Sequence, residues 1–203
     1  MMKRYHWIIT YLNFWRIIPA FLIFRQNRFW KECEEDLAAW VQHIPGVSEH
    51  ARISQLGYML VHQEETRNIF LNRLHRNMVM YAVIRLLFPP LKSLYINMPP
   101  ENIGGGFSVQ HGFSTIVTAQ TIGRNCRIFQ QVTVGYRGKG SPIIGDNVEI
   151  TAGAIVIGDI SIGDNAKIGA GAIVVHDVPA DATVVPVPSN VIKIAKVHTT
   201  TKV

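Results

Sequence analysis

An aliphatic residue returns at every sixth position through most of the second half of this 203-residue chain. The twelve positions of the series are Ile103, Val109, Ile116, Ile122, Ile128, Val134, Ile144, Ile150, Val156, Ile162, Ile168 and Val174. Two breaks interrupt it: one extra residue lies between Val109 and Ile116, and four extra residues lie between Val134 and Ile144. A period of six fits neither an α-helix nor a flat strand, and it favours a short strand and a turn that repeat.

The residues between the aliphatic positions support a stacked arrangement. Small or apolar residues such as Cys126, Ala154 and Ala166 stand four positions after an aliphatic one, so that large and small inward side chains alternate. Gly, Asn or Asp follows closely, as in Ile144-Gly-Asp-Asn, and these residues tolerate the positive φ of tight corners. We therefore predict a prism of parallel strands in which each coil stacks on the next, because one coil alone cannot bury its inner face.

This pattern resembles the repeat of the hexapeptide-repeat acyltransferases, and the resemblance implies a left-handed parallel β-helix. A helical part precedes the repeat, which is the order found in the serine acetyltransferases. We expect an apolar and basic segment at 1–28, a helical domain at 29–100, the β-helix at 101–180 and an extended C-terminal segment at 181–203. Helical spacing predicts one helix between 29 and 44, stopped by Pro45-Gly46, and two more before Pro89.

The charge of the chain is uneven. The formal net charge is +6, and residues 1–31 carry six basic side chains and no acidic one. Because the excess lies at this end, a nucleic-acid-binding function for the whole protein is poorly supported. The basic and aromatic stretch from Trp7 to Phe24 favours either a segment on an anionic membrane surface or an amphipathic helix packed on the protein itself or on a subunit. Cys33 and Cys126 have no metal-ligand or disulfide spacing, which favours a reducing cytoplasm.

His111 is the candidate general base. It lies at the one-residue insertion, where an extra corner residue turns a side chain outward, toward a substrate. The stretch Ile103-Gly-Gly-Gly-Phe-Ser-Val-Gln-His111 resembles the serine acetyltransferase motif, in which the matching histidine is the base. The resemblance implies that this imidazole takes a proton from an acceptor hydroxyl as the oxygen attacks acetyl-CoA. No acyl-enzyme is required, and Cys126 is expected to point inward rather than to act as a nucleophile.

Two departures from that family concern the acceptor. Gln110 stands where the family has an Asp, and the loop after Gly135 lacks the Arg-His pair that handles the serine carboxylate. We assign Gln110 and Glu65 to acceptor binding; for Glu65, a solvated helix face is the other interpretation. Without the usual charged groups, a sugar hydroxyl in surface-polysaccharide synthesis is the preferred acceptor at this stage, and L-serine of cysteine biosynthesis is the alternative.

The remaining assignments also follow from the resemblance. The family holds acetyl-CoA in a groove between neighbouring prisms, which implies a homotrimer, or a dimer of trimers, without nucleic acid and without a metal. The matching donor-site positions are Gly135, Lys139, Ala152, Gly153, Ala170, Gly171 and Lys193. These small residues are also what any β-helix corner needs. A non-catalytic β-helix scaffold is the alternative from another class.

Overall fold

Six helices precede a β-helix in the computed structural model, which describes residues 4–138 and 140–187. The helices are α1 Arg4–Leu12, α2 Phe14–Arg25, α3 Trp30–Val41, α4 Arg52–His62, α5 Glu64–Arg73 and α6 Met78–Leu87, followed after β1 by a 3₁₀ turn at Pro100–Asn102. The strands are β1 Leu94–Ile96, β2 Ser108–Val109, β3 Thr115–Val117, β4 Thr121–Ile122, β5 Arg127–Ile128, β6 Thr133–Gly135, β7 Ile143–Ile144, β8 Glu149–Ile150, β9 Ile155–Ile157, β10 Ser161–Ile162, β11 Lys167–Ile168, β12 Ile173–Val174 and β13 Thr183–Val184.

The strands form the three walls of a left-handed parallel β-helix of about five turns, as the sequence predicts. The first wall has the order β1-β3-β6-β9-β12, the second β4-β7-β10, and the third β2-β5-β8-β11-β13. We call them wall A, wall B and wall C. All the strand pairs are parallel and join residues one coil apart. The first strand, β1, already belongs to wall A, although it lies inside the range predicted to be helical.

Eleven of the twelve predicted inward residues are buried in one continuous core. The exception is Ile116, which is 42% exposed, whereas its neighbour Val117 is fully buried. The prediction for Ile116 is therefore wrong. The corner before β3 is one residue longer than expected, and this shifts the alternation of the strand by one position.

Strand register confirms both insertions. Val109 pairs with Ile128, 19 positions later, whereas regular coils such as Ile150 with Ile168 are 18 positions apart. Across the second break, Ile128 pairs with Ile150, which is 22 positions later. The four additional residues form a small projecting loop, closed by an antiparallel bridge between Arg137 and Gly140. Lys139 lies outside the described residues.

The corner between walls B and C carries a ladder of polar side chains. Asn125, Asn147 and Asn165 all have φ between 56° and 59°, a left-handed conformation that Asn tolerates. Asn125 Nδ2 donates to Asn147 Oδ1 at 3.3 Å, and Asn147 Nδ2 donates to Asn165 Oδ1 at 3.1 Å. Asn165 in turn donates to Asp181 at 2.9 Å. The ladder thus stabilises the stacking of four coils at one edge.

Helix α5 lies across the first coil of the β-helix and binds its free carbonyl groups. Asn68 Nδ2 donates to Leu94 O at 2.9 Å, and Asn72 Nδ2 donates to Met98 O at 2.9 Å. Arg73, at the end of the helix, donates to the carbonyls of Pro100, Ile103 and Gly104. Its guanidinium also forms a buried pair with Asp36 of α3, at 3.0 and 3.1 Å. The helical half is therefore fixed to the β-helix by polar contacts as well as by packing.

The region before Pro89 contains one more helix than predicted. The predicted helix at 29–44 is confirmed as α3, but the stretch after it forms α4, α5 and α6 rather than two helices. Gln63 is extended, with φ −125° and ψ 97°, and separates α4 from α5. The sequence contains no Gly or Pro there, so that the apolar periodicity continues across the break.

The N-terminal segment forms two helices with apolar side chains on both faces. Ile17, Ala20 and Phe24 of α2 are fully buried. No helix in residues 4–138 and 140–187 is long and apolar enough to cross a membrane alone. Together α1 and α2 have the length and composition for a span, but they meet at an angle of 71°. The predicted packing on the protein itself is thus present on one face.

Candidate active site

His111 lies at the corner between walls C and A, where the insertion lengthens the turn between β2 and β3. The insertion places His111, Gly112 and Ser114 at φ values of 63°, 45° and 52°. The Phe113 N–H donates to the His111 carbonyl at 2.6 Å and tightens the turn. Because of this left-handed turn, the His111 side chain is exposed on the outside of the prism rather than packed in its core. The predicted outward placement is confirmed.

A cavity of about 140 Å³ opens beside His111, between wall C and the helical half. It is lined by Trp40, His43, Ile44, Gln63, Glu65, Ser108, Gln110, His111 and Arg127. The three residues predicted for catalysis and acceptor binding, His111, Gln110 and Glu65, therefore meet in one cavity. The break at Gln63 contributes to this, because it turns the start of α5 toward the β-helix.

Glu65 belongs to this cavity and not to a solvated helix face. It lies in the first turn of α5 and is 8% exposed. A Cβ added at Gly112 would lie 3.1 Å from Glu65 Cβ and 3.1 Å from Leu94 Cδ2. The glycine after His111 therefore allows α5 to approach the His111 corner, besides tolerating the positive φ.

Arg127 is a site residue that the sequence analysis missed. It lies on β5, one coil above Ser108, with its side chain on the outer face of wall C. Arg127 Nη2 donates a hydrogen bond to Gln110 Oε1, and its guanidinium lies 4.9 Å from the centre of the Phe129 ring. A usable signal was available: Arg127 is the residue before an inward aliphatic, one coil after the motif, and such positions face outward.

His43 is the second residue that sequence reasoning missed. It follows the end of α3 and lines the cavity opposite wall C. Partial burial and the charge of Arg127 lower the pKa of His43, while Glu149 acts in the opposite direction. His43 is therefore a neutral hydrogen-bonding group at neutral pH, because its ordinary pKa is already below 7. The cavity thus holds a cation, a carboxylate and two imidazoles.

Four predicted donor-site residues lie along the same prism edge as His111. Gly153 and Gly171 both have φ 71° and occupy equivalent corners of later coils. The Gly171 N–H donates to Ala152 O at 2.9 Å, so that the pairs Ala152-Gly153 and Ala170-Gly171 stack directly. A Cβ added at Gly171 would meet no atom within 4 Å, which leaves this edge open to a ligand. Their binding of acetyl-CoA stays a prediction.

The other predicted donor-site residues are elsewhere. Gly135 lies at the far end of β6, next to the corner between walls A and B rather than on the His111 edge. A Cβ at Gly135 would be 3.9 Å from its nearest neighbours, so the site is open but separate. Lys139 and Lys193 lie outside the described residues.

Both cysteines are buried and neither forms a disulfide; the inward position predicted for Cys126 is confirmed. Burial raises the pKa of the Cys126 thiol to about 12, and its Sγ lies 3.0 Å from Gly145 O inside the prism. A thiol that stays protonated and faces the core is a poor nucleophile. Within residues 4–138 and 140–187, no three His, Cys, Asp or Glu side chains are grouped so as to hold a metal ion.

Comparisons with known proteins agree with this arrangement. A family model described as bacterial transferase hexapeptide (six repeats) matches residues 141–176 of the β-helix. The crystal structure of the Neisseria gonorrhoeae serine acetyltransferase in complex with serine covers 80% of this chain and 68% of that chain, at 31% identity and a TM-score of 0.56. The Brucella abortus strain S19 serine acetyltransferase covers 84% and 72%, at 25% identity and a TM-score of 0.58.

Sequence similarity to curated proteins is confined to a part of each chain. The serine acetyltransferase of Staphylococcus aureus (strain Mu50) is 43% identical over 100 residues, which are 47% of this chain and 47% of that protein. The chain thus spans about half the length of the curated relatives it matches.

The β-helix of six-residue repeats and the match to the bacterial transferase hexapeptide model place the chain in the class of hexapeptide-repeat proteins. Similarity to the Neisseria protein extends over both the helical part and the β-helix and over two thirds of that protein. The chain belongs to the serine acetyltransferase-like family within this class, and the resemblance seen in the sequence is confirmed.

Proposed function

We propose that the protein is an acetyl-CoA-dependent O-acetyltransferase with L-serine as its acceptor. The observation that carries the proposal is the convergence of His111, Glu65 and Arg127 on one small cavity beside an open prism edge. The relatives and solved neighbours are serine acetyltransferases, one of them with bound serine, which supports this acceptor over a sugar.

The reaction needs one proton transfer and one acyl transfer. The neutral His111 imidazole takes the proton of the acceptor hydroxyl as its oxygen attacks the thioester carbonyl, and a C–O bond forms. A backbone N–H at the open edge stabilises the oxyanion. The C–S bond then breaks, and His111 returns the proton to the leaving thiolate. The products are an O-acetyl ester and free CoA.

The charges in the cavity match a zwitterionic amino acid. Arg127 offers a guanidinium for a carboxylate, and Glu65 offers a carboxylate for an ammonium group. A sugar was preferred in the sequence analysis because no charged partners for an amino acid were found near His111. Arg127 and Glu65 supply such charged partners. The volume of about 140 Å³ is also below the roughly 300 Å³ typical of sites for larger ligands. An amino acid fits this space better than a nucleotide sugar.

Homotrimeric assembly is part of the proposal. The outward residues of wall A pair in register as Tyr95, Ile116, Thr133, Ile155 and Ile173. Ile173 is 67% exposed and Ile116 is 42% exposed, whereas the matching column of wall C, from Ser108 to Lys167, is polar. An apolar wall beside the His111 edge suits packing against a neighbouring prism, which would complete a groove for acetyl-CoA. We place the reaction in the cytoplasm, where acetyl-CoA is available.

Release of CoA thiol tests the proposal. Purified protein is offered acetyl-CoA with L-serine, homoserine, simple sugars or nucleotide sugars. We expect turnover with L-serine and a loss of about 10²- to 10⁴-fold in kcat for His111→Ala. The control is His176→Ala, which removes an exposed histidine on a later coil. Arg127→Gln and Glu65→Gln should mainly raise the KM for serine.

Each competing function has its own result. Turnover on sugars alone would reject L-serine and restore the sugar acceptor. Wild-type activity in a folded His111→Ala variant would reject His111 as the base. No turnover with any acceptor would favour the scaffold.

A further inference from the structure

Each of α1 and α2 has an exposed apolar face. Ile8 and Leu12 lie four residues apart on α1, and Trp15, Ile18 and Leu22 follow one another at spacings of three and four residues on α2. Each is at least 49% exposed, and Leu12 and Trp15 exceed 70%. We call this set the N-terminal apolar stripe. Such a stripe is large for a free surface and indicates a contact with something apolar.

The stripe is a separate face from the one that holds α2 in the protein. On a helical wheel, Trp15, Ile18 and Leu22 lie opposite the buried residues of α2. Ile17, on the buried face, packs so closely on α4 that a Cβ added at Gly57 would lie 2.8 Å from Ile17 Cδ1. The helix is thus fixed on one side, and the exposed stripe is rigidly presented on the other.

Basic side chains follow the stripe along the chain, and no acidic residue lies within the stripe's own segment. Arg25, Arg28 and Lys31 are exposed at and just beyond the end of α2, and the chain has no Asp or Glu before Glu32. Arg16 points elsewhere, since its Nη1 donates to Leu87 O at 2.7 Å. Tyr5, Tyr11 and Trp15 add exposed amphipathic rings of the kind enriched at membrane interfaces.

We infer that the N-terminal apolar stripe binds the surface of an anionic lipid bilayer. Apolar side chains would enter the acyl boundary, the rings would lie at the headgroups, and the basic side chains would contact anionic headgroups. A second copy of the chain is the other candidate. Residues 1–31 carry six basic side chains and no acidic one, so a symmetric contact through this segment would offer these cations no acidic partner within it, whereas an anionic bilayer does.

Vesicle sedimentation of the full chain tests this inference. We expect binding to vesicles of phosphatidylcholine mixed with phosphatidylglycerol, weaker binding to pure phosphatidylcholine, and a decrease at high salt. The double variant Trp15→Glu/Leu22→Glu should bind at least about tenfold less. Arg25→Gln/Arg28→Gln should lose only the preference for anionic vesicles. The matched control is Ile143→Glu, which alters an exposed apolar residue on wall B and should bind as the wild type does.

The readouts separate this inference from the proposed acetyl transfer. None of the substituted residues lines the His111 cavity, so the variants should retain their activity and their thermal unfolding. Equal binding by the wild type and the Trp15→Glu/Leu22→Glu variant would overturn the inference. The inference would also be overturned if the wild type bound no vesicles and instead formed a larger assembly that the Trp15→Glu/Leu22→Glu variant abolished. The stripe would then bind a second copy of the chain.

Discussion

At the scale of single residues, the Asn ladder assigns two tasks to one side chain. Asn147 adopts φ 56° at its corner, and its amide also bonds both above and below, to Asn165 and Asn125. Gly would supply the left-handed backbone without the bonds, and Ala would supply neither. Asn is the residue that meets both requirements.

Substitution of Asn147 separates the two tasks. Both Asn147→Gly and Asn147→Ala lose the ladder bonds, but only Ala is strained at positive φ. We expect the Ala variant to be about 1 kcal/mol less stable than the Gly variant. Urea unfolding of the two proteins measures this difference directly. Equal stabilities would mean that the corner relaxes away from its left-handed conformation.

The sequence predicted the candidate base but not the whole cavity. A motif and a break in the repeat indicate His111, and Gln110 comes with it. The only signal for Arg127 is its outward position one coil after the motif, and His43 has none. An outward polar residue on a coil or after a helix is ordinary in any sequence. Their role depends on the distance between α3 and wall C, which periodicity does not encode. The inward position of β3 was assigned to Ile116 instead of Val117 for a related reason. Both residues are aliphatic, and either side chain suits the core.

At the scale of elements, the buried Arg73–Asp36 pair joins α5, α3 and the first coil. Burial raises the pKa of Asp36 to about 6, although Arg73 and the Phe107 N–H oppose that shift. Both side chains are 1% exposed. Removing one member leaves the other charge buried without a partner, which is costly.

Arg73→Ala should therefore destabilise the protein by about 3–5 kcal/mol in urea unfolding. The control lies three residues further along the chain, where Arg76 pairs with Glu101 on the exposed surface. Arg76→Ala should change stability little, because exposed ion pairs contribute little. Similar effects of the two substitutions would show that the buried pair does not hold the helical half in place.

The contact between α1 and α4 should respond to pH through His62. Its Nε2 lies 3.0 Å from His6 O and 3.1 Å from the buried Thr10 Oγ1. Burial lowers the pKa of His62, while the bond to His6 opposes this. The unfolded chain therefore binds the proton more tightly, and stability should fall as pH drops below about 6.5.

Thermal unfolding between neutral and mildly acidic pH measures this effect. His62→Gln should show a smaller loss of Tm on acidification, and the control His176→Gln should behave like the wild type. A wild-type Tm independent of pH in this range would contradict the assignment. The sequence could not predict the contact of His62 with α1. The contact lies at the end of α4, and neither Gly nor Pro marks the break at Gln63 that ends this helix.

At the scale of the whole molecule, wall A is the proposed contact between prisms. Its outward column contains Ile173, and a charge there would be buried in a trimer without a partner. Ile173→Glu should therefore elute as a monomer in size-exclusion chromatography with light scattering. Its acetyl transfer should fall as well, since in the proposed trimer the donor groove lies between two chains. Ile143→Glu on wall B serves as the control, and a trimeric, active Ile173→Glu variant would place the contact elsewhere.

The contacts of α5 with the first coil also bear on solubility. Each coil of a parallel β-helix is a template for the next, so an uncovered first coil offers a row of free backbone groups to strands of other molecules. Asn68, Asn72 and Arg73 occupy the carbonyls of that coil in the folded chain. The helical half thus covers this end of the β-helix, and a strand from another molecule would have to displace these side chains before it could pair there.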